Sequence, residues 1–269
     1  MNTKIQTLKK GHYLAPVYQT YDLGDISIGL TKYQRAVKTG IWHTHERPMI
    51  SIVLNGANCE FRKGKEIQRI RGNINYYHAY EAHKNVYSIF PATHIGLEVE
   101  ESFLKENNYL ESDIELAVQR STDAQFPFLR MLKDASIGDL QSGESTKSAF
   151  LSFIANALNP DSLKTPPDWM RIIKEILHDR WNENISLHDL SVQADVHPVT
   201  ISKNFRKFFN CTLSEYTRKL KVEHAIELLA SSKYSLTEVA YLCGFADQSH
   251  FTRVFTSATS YSPKAFTKI

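Results

Sequence analysis

Cysteine is scarce in this chain of 269 residues: Cys59, Cys211 and Cys243 are all there is, an odd number with no Cys-x-x-Cys pair. That excludes a disulfide-stapled secreted scaffold and fits a reducing cytoplasm. Long apolar runs are missing as well. None approaches the roughly 20 residues of a membrane span, and Met1 to Lys10 is polar where a secretory signal would be apolar, so no membrane partner is expected. Nor is there a strong excess of either charge. Lys and Arg number 32 against 29 Asp and Glu, and from Asp168 onward the balance is 13 to 11, so charge alone does not announce a nucleic-acid binder. What is left, 42% hydrophobic and 23% charged, is an ordinary globular composition in a chain long enough for two domains.

The most informative stretch, Ser186 to Phe266, says the same thing twice. Ser186-Leu187-His188-Asp189-Leu190 returns 49 residues later as Ser235-Leu236-Thr237-Glu238-Val239. Each is a capping box, in which a Ser hydroxyl takes an orphan backbone N–H and an acidic side chain three residues on reaches back to the cap. Each opens a short helix, followed by a turn and a second helix led by Val196-His197-Pro198 or by Gly244-Phe245-Ala246-Asp247. Beyond the turn the offset becomes 50: Ile201 matches Phe251, Ser202 matches Thr252, Lys203 matches Arg253, Phe205 matches Phe255 and Tyr216 matches Phe266. This is helix-turn-helix grammar, present in two copies.

On Ser186 to Leu190, Ile201 to Arg206, Tyr216, Lys221-Val222, Ala225, Leu228-Leu229, Val239-Ala240, Gly244-Phe245, Ser249, Phe251, Arg253, Phe255 and Ser262-Pro263, the chain resembles the AraC/XylS transcriptional regulators. The resemblance covers about 100 C-terminal residues and implies an all-α DNA-binding domain with two helix-turn-helix motifs joined by a long helix. The sequence departs from the family pattern at Lys203 and Lys221, where Arg is usual, and at Asn210 and Ser260, where Gly is usual. A helix set in the major groove offers its outward N-terminal residues to base edges. Inward Ile201, Phe205, Phe208, Phe251, Val254 and Phe255 leave Val199, Ser202, Lys203, Arg206, Gln248, Ser249, Thr252 and Arg253 as DNA contacts, with Lys221 of the bridging helix added as a backbone contact. Basic residues gather in or beside these second helices and the start of the bridging helix, where position outweighs the small net charge.

The first 100 residues read as strands: Asp25 to Gln34, Met49 to Leu54, a hairpin from Asn58 to Ile70 turning at Lys63-Gly64-Lys65, then Asn73 to Tyr77, Asn85 to Phe90 and Thr93 to Glu100. Many short strands with Gly turns suggest an antiparallel barrel or double-sheet roll. Gly40-Ile41-Trp42-His43-Thr44-His45-Glu46 and the later run from Gly72 to Asn85 resemble the two half-motifs of a cupin, the small β-barrel that also serves as sensor in many AraC-like regulators. His43, His45 and His83 match the three histidine ligands of metal-binding cupins. The carboxylate that should follow His45 falls near Met49, so the histidines are read as effector contacts, with no metal or other cofactor. Tyr33 and Arg35 share one strand face and join them as an aromatic ring and a cation suited to a sugar or carboxylate.

Helices follow at Ser102 to Asn108, Asp123 to Asp134 and Glu144 to Leu158, with stripes that either pack on the barrel or pair two subunits as a homodimer. Residues 159–167, with three prolines, form a linker. The expected chain is thus α+β: a cupin-like sensing and dimerisation domain over 1–158, the linker, and a DNA-binding domain over 168–269 opened by a helix that Asp168 caps. The function expected is a cytoplasmic transcription regulator, an activator in the pattern of its family, that binds double-stranded DNA, a small-molecule effector and RNA polymerase and is not an enzyme. The alternative, a metal-dependent cupin enzyme with a DNA-binding tail, requires stoichiometric metal at the three histidines.

Overall fold

In a computed structural model, residues 5–15, 17–34, 40–121, 123–159, 166–209 and 211–269 are described. Arg35 and most of the proposed linker, 160–165, lie outside them, as does Asn210. The chain divides into two compact units, Met1–Ala157 and Leu158–Ile269. No helix among the described residues is long and apolar enough to cross a membrane.

The first unit is a curled sheet of eight strands: β1 (Gln6–Leu8), β2 (Val17–Asp22), β3 (Ile26–Tyr33), β4 (His43–His45), β5 (Met49–Arg62), β6 (Lys65–Ile70), β7 (Ile74–Tyr77) and β8 (His83–Val99). Its path runs β1-β4-β8-β3-β2, while β5 pairs with β6, β7 and β8. One pairing departs from the antiparallel expectation, because β1 lies parallel to β4. The strands read separately as Asn85 to Phe90 and Thr93 to Glu100 form one element, β8, against which β5 runs from Met49↔Glu98 to Arg62↔His83 with register shifts between Val53 and Asn58. These irregularities bend both strands, as bulges do, and turn the sheet into a half-barrel. Gly56 sits at the bend with φ +80°, and a Cβ there would lie 2.7 Å from Ala92 Cα and from the Ile89 carbonyl, so only glycine lets the two backbones approach.

Although apolar and polar residues alternate along β3, nearly every residue of the strand is buried. The reason is helix α3. After α1 (Glu101–Glu106) and α2 (Glu111–Arg120), which the sequence reading did not anticipate, α3 (Gln125–Ala135) lies over β3 and β8, and α4 (Leu140–Leu158) follows. Of the helical stripes read as either packing on the barrel or pairing two subunits, Phe126, Leu129, Leu132, Phe150, Phe153 and Ile154 are buried within the unit and Ala157 and Leu158 are half-buried, with Phe128 edge-on to Phe153 at 5.2 Å. At roughly 1.5–3 kcal/mol per large apolar side chain, their burial contributes to the stability of this unit.

The second unit is all helix: α5 (Asp168–Asp179), α6 (Leu187–Ala194), α7 (Pro198–Phe209), α8 (Leu213–Ala230), α9 (Leu236–Leu242), α10 (Gln248–Thr259) and α11 (Pro263–Phe266). Asp168 does not cap α5; Pro167 precedes its first turn, and Asp168 is the first helical residue. The other caps form as the sequence reading expects. Ser186 Oγ accepts from Asp189 N at 3.1 Å and Ser235 Oγ from Glu238 N at 3.3 Å, while each acidic side chain accepts from the backbone N–H of its cap residue. Thr212 and Glu215 repeat the device at α8.

Candidate sensing site and nucleic-acid interface

Strand β4 is only three residues long, and its two histidines lie on one face because side chains alternate. Register places His83, the first residue of β8, directly opposite His43. The three rings therefore converge, with centroids 4.2 Å apart for His43 and His83, 5.4 Å for His43 and His45, and 5.5 Å for His45 and His83. All three are buried, and one ring nitrogen from each lies within 4.8 Å of the others. Their orientation is fixed from behind. His43 Nδ1 donates to the Ile41 carbonyl at 3.0 Å and His83 Nδ1 to the Glu81 carbonyl at 3.1 Å; since a carbonyl only accepts, both Nδ1 atoms carry the proton and both Nε2 atoms keep a lone pair. His45 Nδ1 faces Glu98 Oε1 at 3.4 Å. Burial holds His43 down to about 4, and burial with the neighbouring His43 ring holds His83 down to about 2, so both are neutral at physiological pH.

Beside the rings is a cavity of about 50 Å³ lined by Thr31 and Tyr33 of β3, Met49, Ser51, Val53 and Asn58 of β5, Asn75 and Tyr77 of β7, and His83, Asn85, Tyr87 and His94 of β8, among others. Most fall two apart along their strands, the inner face of a curled sheet. Tyr33 stacks on Tyr87 at 3.9 Å, and Tyr77 stacks on His83 at 4.2 Å. Glu60, with no exposed surface, anchors this wall: it accepts from Arg69 Nε at 2.8 Å, Asn75 Nδ2 at 3.0 Å and Tyr77 Oη at 3.2 Å. Burial and the Glu60 carboxylate together push the Tyr77 phenol up, so Tyr77 stays a donor. Of the sequence-read effector residues, the structure gathers His43, His45 and His83 and places Tyr33 on the same lining; Trp42 is half-buried with Lys84 Nζ 5.6 Å over its ring. Sequence reasoning missed Glu60, Tyr77, Tyr87, His94 and Glu98. The signal was present as polar residues at every second position of strands otherwise apolar.

In the second unit the internal repeat becomes two matching helix pairs, α6–α7 and α9–α10. Leu190 and Val239, Ile201 and Phe251, and Phe205 and Phe255 are all fully buried. Phe205 meets Tyr216 edge-on at 5.2 Å, and Phe255 meets Phe266 edge-on at 5.4 Å, so the correspondence at an offset of 50 is a correspondence of contacts. Asp195 and Gly244 close the first helix of each pair in left-handed conformations, φ +51° and +69°. Ser260, where Gly is usual, also takes a left-handed φ of +63° as the cap of α10. Val199, Ser202, Lys203 and Arg206 on α7, and Gln248, Ser249 and Arg253 on α10, are exposed, and Thr252 is half-buried. Phe208 and Val254, read as inward, are half-buried.

Lys221 is a correction. It is 6% exposed, and its ammonium donates to Asn184 Oδ1 at 3.0 Å and to the Gly244 carbonyl at 2.9 Å. Burial lowers its pKa. An ammonium committed to two internal acceptors is not presented to a phosphate; it ties the loop after α5 to the turn after α9. Gly244 belongs to the same junction, since a Cβ there would fall 1.8 Å from the Asn182 carbonyl oxygen.

Residues 190–269 match a family described as a helix-turn-helix domain. Similar proteins include the Msm operon regulatory protein of Streptococcus mutans, 26% identical over 96 residues, or 36% of this chain and 34% of that protein. The HTH-type transcriptional activator RhaS of Salmonella arizonae is 30% identical over 88 residues, or 33% of this chain and 32% of that protein. The chain thus spans about a third of the length of the curated relatives it matches. Among solved structures, ToxT of Vibrio cholerae aligns over 91% of this chain and 98% of its own, with 12% identity and a TM-score of 0.39. Residues 190–269 thus carry a helix-turn-helix domain, and the C-terminal region is similar to those of proteins named as transcriptional regulators.

Proposed function

We propose that the chain is a sequence-specific DNA-binding transcription regulator in which α6–α7 and α9–α10 are two helix-turn-helix motifs, α8 bridges them, and the N-terminal half-barrel is a cupin-like sensor of a small ligand. The observation that carries the DNA-binding half is the duplicated pair: two 12-residue helices, each held by buried apolar residues on one face and presenting polar and basic side chains on the other. Val199 suits a thymine methyl, Gln248 an adenine edge and Arg253 a guanine edge. The carbonyl-oriented histidines beside a polar cavity support sensing, with Tyr33 on the same wall. Arg35, also put forward as an effector contact, lies outside the described residues.

The regulator acts in the cytoplasm, where its DNA and RNA polymerase are. For sensing to control transcription, the ligand must bind one arrangement of the protein more tightly than another. The direct test is binding of the full chain to candidate promoter fragments across a salt series. Specific binding that weakens steeply with salt is expected. Folded protein with no DNA affinity at low salt on any candidate promoter would sink the reading.

A further inference from the structure

Copies of a repeat that agree in their cores can still differ where they face a partner. At the offsets of 49 and 50 that align the two motifs, Thr237 answers His188 and Gln248 answers Pro198, so only the second motif carries an amide at the tip of its second helix. That tip is firmly set. Asp247 Oδ1 accepts from the His250 N–H at 2.7 Å, so α10 begins at Gln248, and Phe245 in the preceding turn packs on Phe251 with ring centroids 5.3 Å apart. Across the turn stands Thr237, in the first turn of α9, whose Ser235–Glu238 capping box closes without it. Thr237 Oγ1 donates to Gln248 Oε1 at 2.6 Å, joining two exposed side chains. That is the length of an O–H···O bond and is short for N–H···O at about 2.7–3.2 Å, so the hydroxyl meets the oxygen of the amide and not its nitrogen. The amide is thereby sorted: Oε1 is turned back toward α9, and Nε2 keeps both hydrogens without a hydrogen-bond partner among the described residues.

We propose that Thr237 is a positioning residue for base recognition: it holds Gln248 as a hydrogen-bond donor, so that the second motif selects an acceptor edge and rejects cytosine at the base Gln248 meets. This role rests on the reading of α10 as a helix that enters the major groove. There guanine offers N7 and O6, adenine N7 and thymine O4 as acceptors, whereas cytosine offers only the N4 donor. A glutamine free to turn its amide over would satisfy any of the four, giving nitrogen to an acceptor or oxygen to a donor. Thr237 removes that freedom, because the turned amide would exchange a short O–H···O bond for a longer N–H···O one. Docking on DNA excludes water from the contact, so a polar atom left unpaired there costs its full desolvation. In a pairing with adenine, the second lone pair of Oε1 accepts from N6 while Nε2 donates to N7, and the donation is the half that Thr237 fixes. The first motif, with His188 and Pro198 at these positions, has no such device, so the two halves of the DNA site are read unequally.

The test uses the full chain. Selection from randomised duplexes by wild type and by Gln248→Ala identifies the base pair at which Gln248 acts, and competition titrations there compare the four bases and, where a purine stands, its 7-deaza analogue. Wild type should disfavour cytosine roughly 5- to 150-fold, the span that one mismatched base pair costs, and should weaken when a purine N7 is removed. Thr237→Val keeps the shape of the side chain and removes the hydroxyl. It should lose most of the discrimination against cytosine at that one position, with the melting temperature and the preferences at all other positions as in wild type. Thr237→Ser returns the hydroxyl and should restore the discrimination, which a merely structural role would not require. Wild type that favours cytosine there, a Thr237→Val variant that discriminates as wild type does, or a Gln248→Ala variant that selects the wild-type sequence overturns the role of Thr237 and leaves DNA binding standing. Wild type that binds DNA without selecting any sequence, or does not bind it, defeats the regulator reading and this role with it.

Discussion

Lys221→Met separates two roles that a basic residue on a bridging helix could have, because methionine keeps most of the apolar stem and removes only the ammonium. In the structure that ammonium makes two charge-assisted hydrogen bonds, to Asn184 Oδ1 and to the Gly244 carbonyl. Bonds to a charged group are each worth ~1.5–3 kcal/mol. Two terms reduce the sum: Asn184 is exposed and regains water, and burying the ammonium carried a desolvation cost that the substitution removes. The net loss should be about 2 kcal/mol, most of it from the carbonyl at the turn after α9. For a unit of this size that lowers the melting temperature on the order of 10 °C. Denaturation of a fragment from Pro167 to Ile269 gives the stability, and DNA titration across a salt series gives the slope of log K against log salt. An internal tie leaves the slope unchanged, because no phosphate contact is lost. An unchanged melting temperature with a slope reduced by about one would mean that Lys221 touches the DNA backbone and that its buried position is wrong.

Gly244→Ala should be more damaging, on the order of 3–5 kcal/mol, since it adds a Cβ at a φ of +69° within 1.8 Å of the Asn182 carbonyl oxygen; wild-type stability on denaturation would refute the tight junction. Arg253→Ala should relax preference at one or two base pairs at a cost of about 1–3 kcal/mol, measured by competition against mismatched sites, and equal losses on specific and random DNA would contradict base reading. Hydrogen bonds from the cap residues hold three capping-box carboxyls low: Asp189 chiefly through the Ser186 hydroxyl, Glu215 and Glu238 chiefly through the backbone N–H of Thr212 and Ser235. Groups with depressed folded pKa values contribute stability above their ordinary values of 3.8 to 4.5 and lose it as pH falls through the folded ones, so Glu238→Gln should flatten the acid limb of a stability–pH curve. His43→Ala should abolish ligand-dependent transcription while leaving DNA affinity of the isolated C-terminal fragment untouched, and a surviving response would move the ligand site elsewhere.

The C-terminal unit was legible because its determinants are local and written twice. A capping box needs four consecutive residues, and the αL turn needs only Asp195 or Gly244, so a search at a fixed offset finds them without any knowledge of packing. The repeat even carried tertiary information, since Phe205 with Tyr216 and Phe255 with Phe266 make the same edge-on contact in each copy. Lys221 was misread for the complementary reason. Its partners stand 37 positions before it and 23 after it, and neither Asn184 nor the Gly244 carbonyl signals that it will accept a lysine.

The half-barrel site shows the same divide within a single cluster. His43 and His45 could be placed together from strand alternation, and His83 from a half-motif, but the residues that decide what those rings do are remote in sequence. Glu98 reaches His45 across more than 50 residues, because β8 runs back along β5, which bends at Gly56. The cupin half-motif argued against a metal because the carboxylate it expects a few residues after His45 falls near Met49. In the folded sheet Met49 pairs with Glu98, so an acidic group does arrive at that register position, on the neighbouring strand. It faces Nδ1 of His45 at 3.4 Å. A motif read along one strand cannot see a carboxylate delivered through another, and only the folded register sets Glu98 beside the His45 ring.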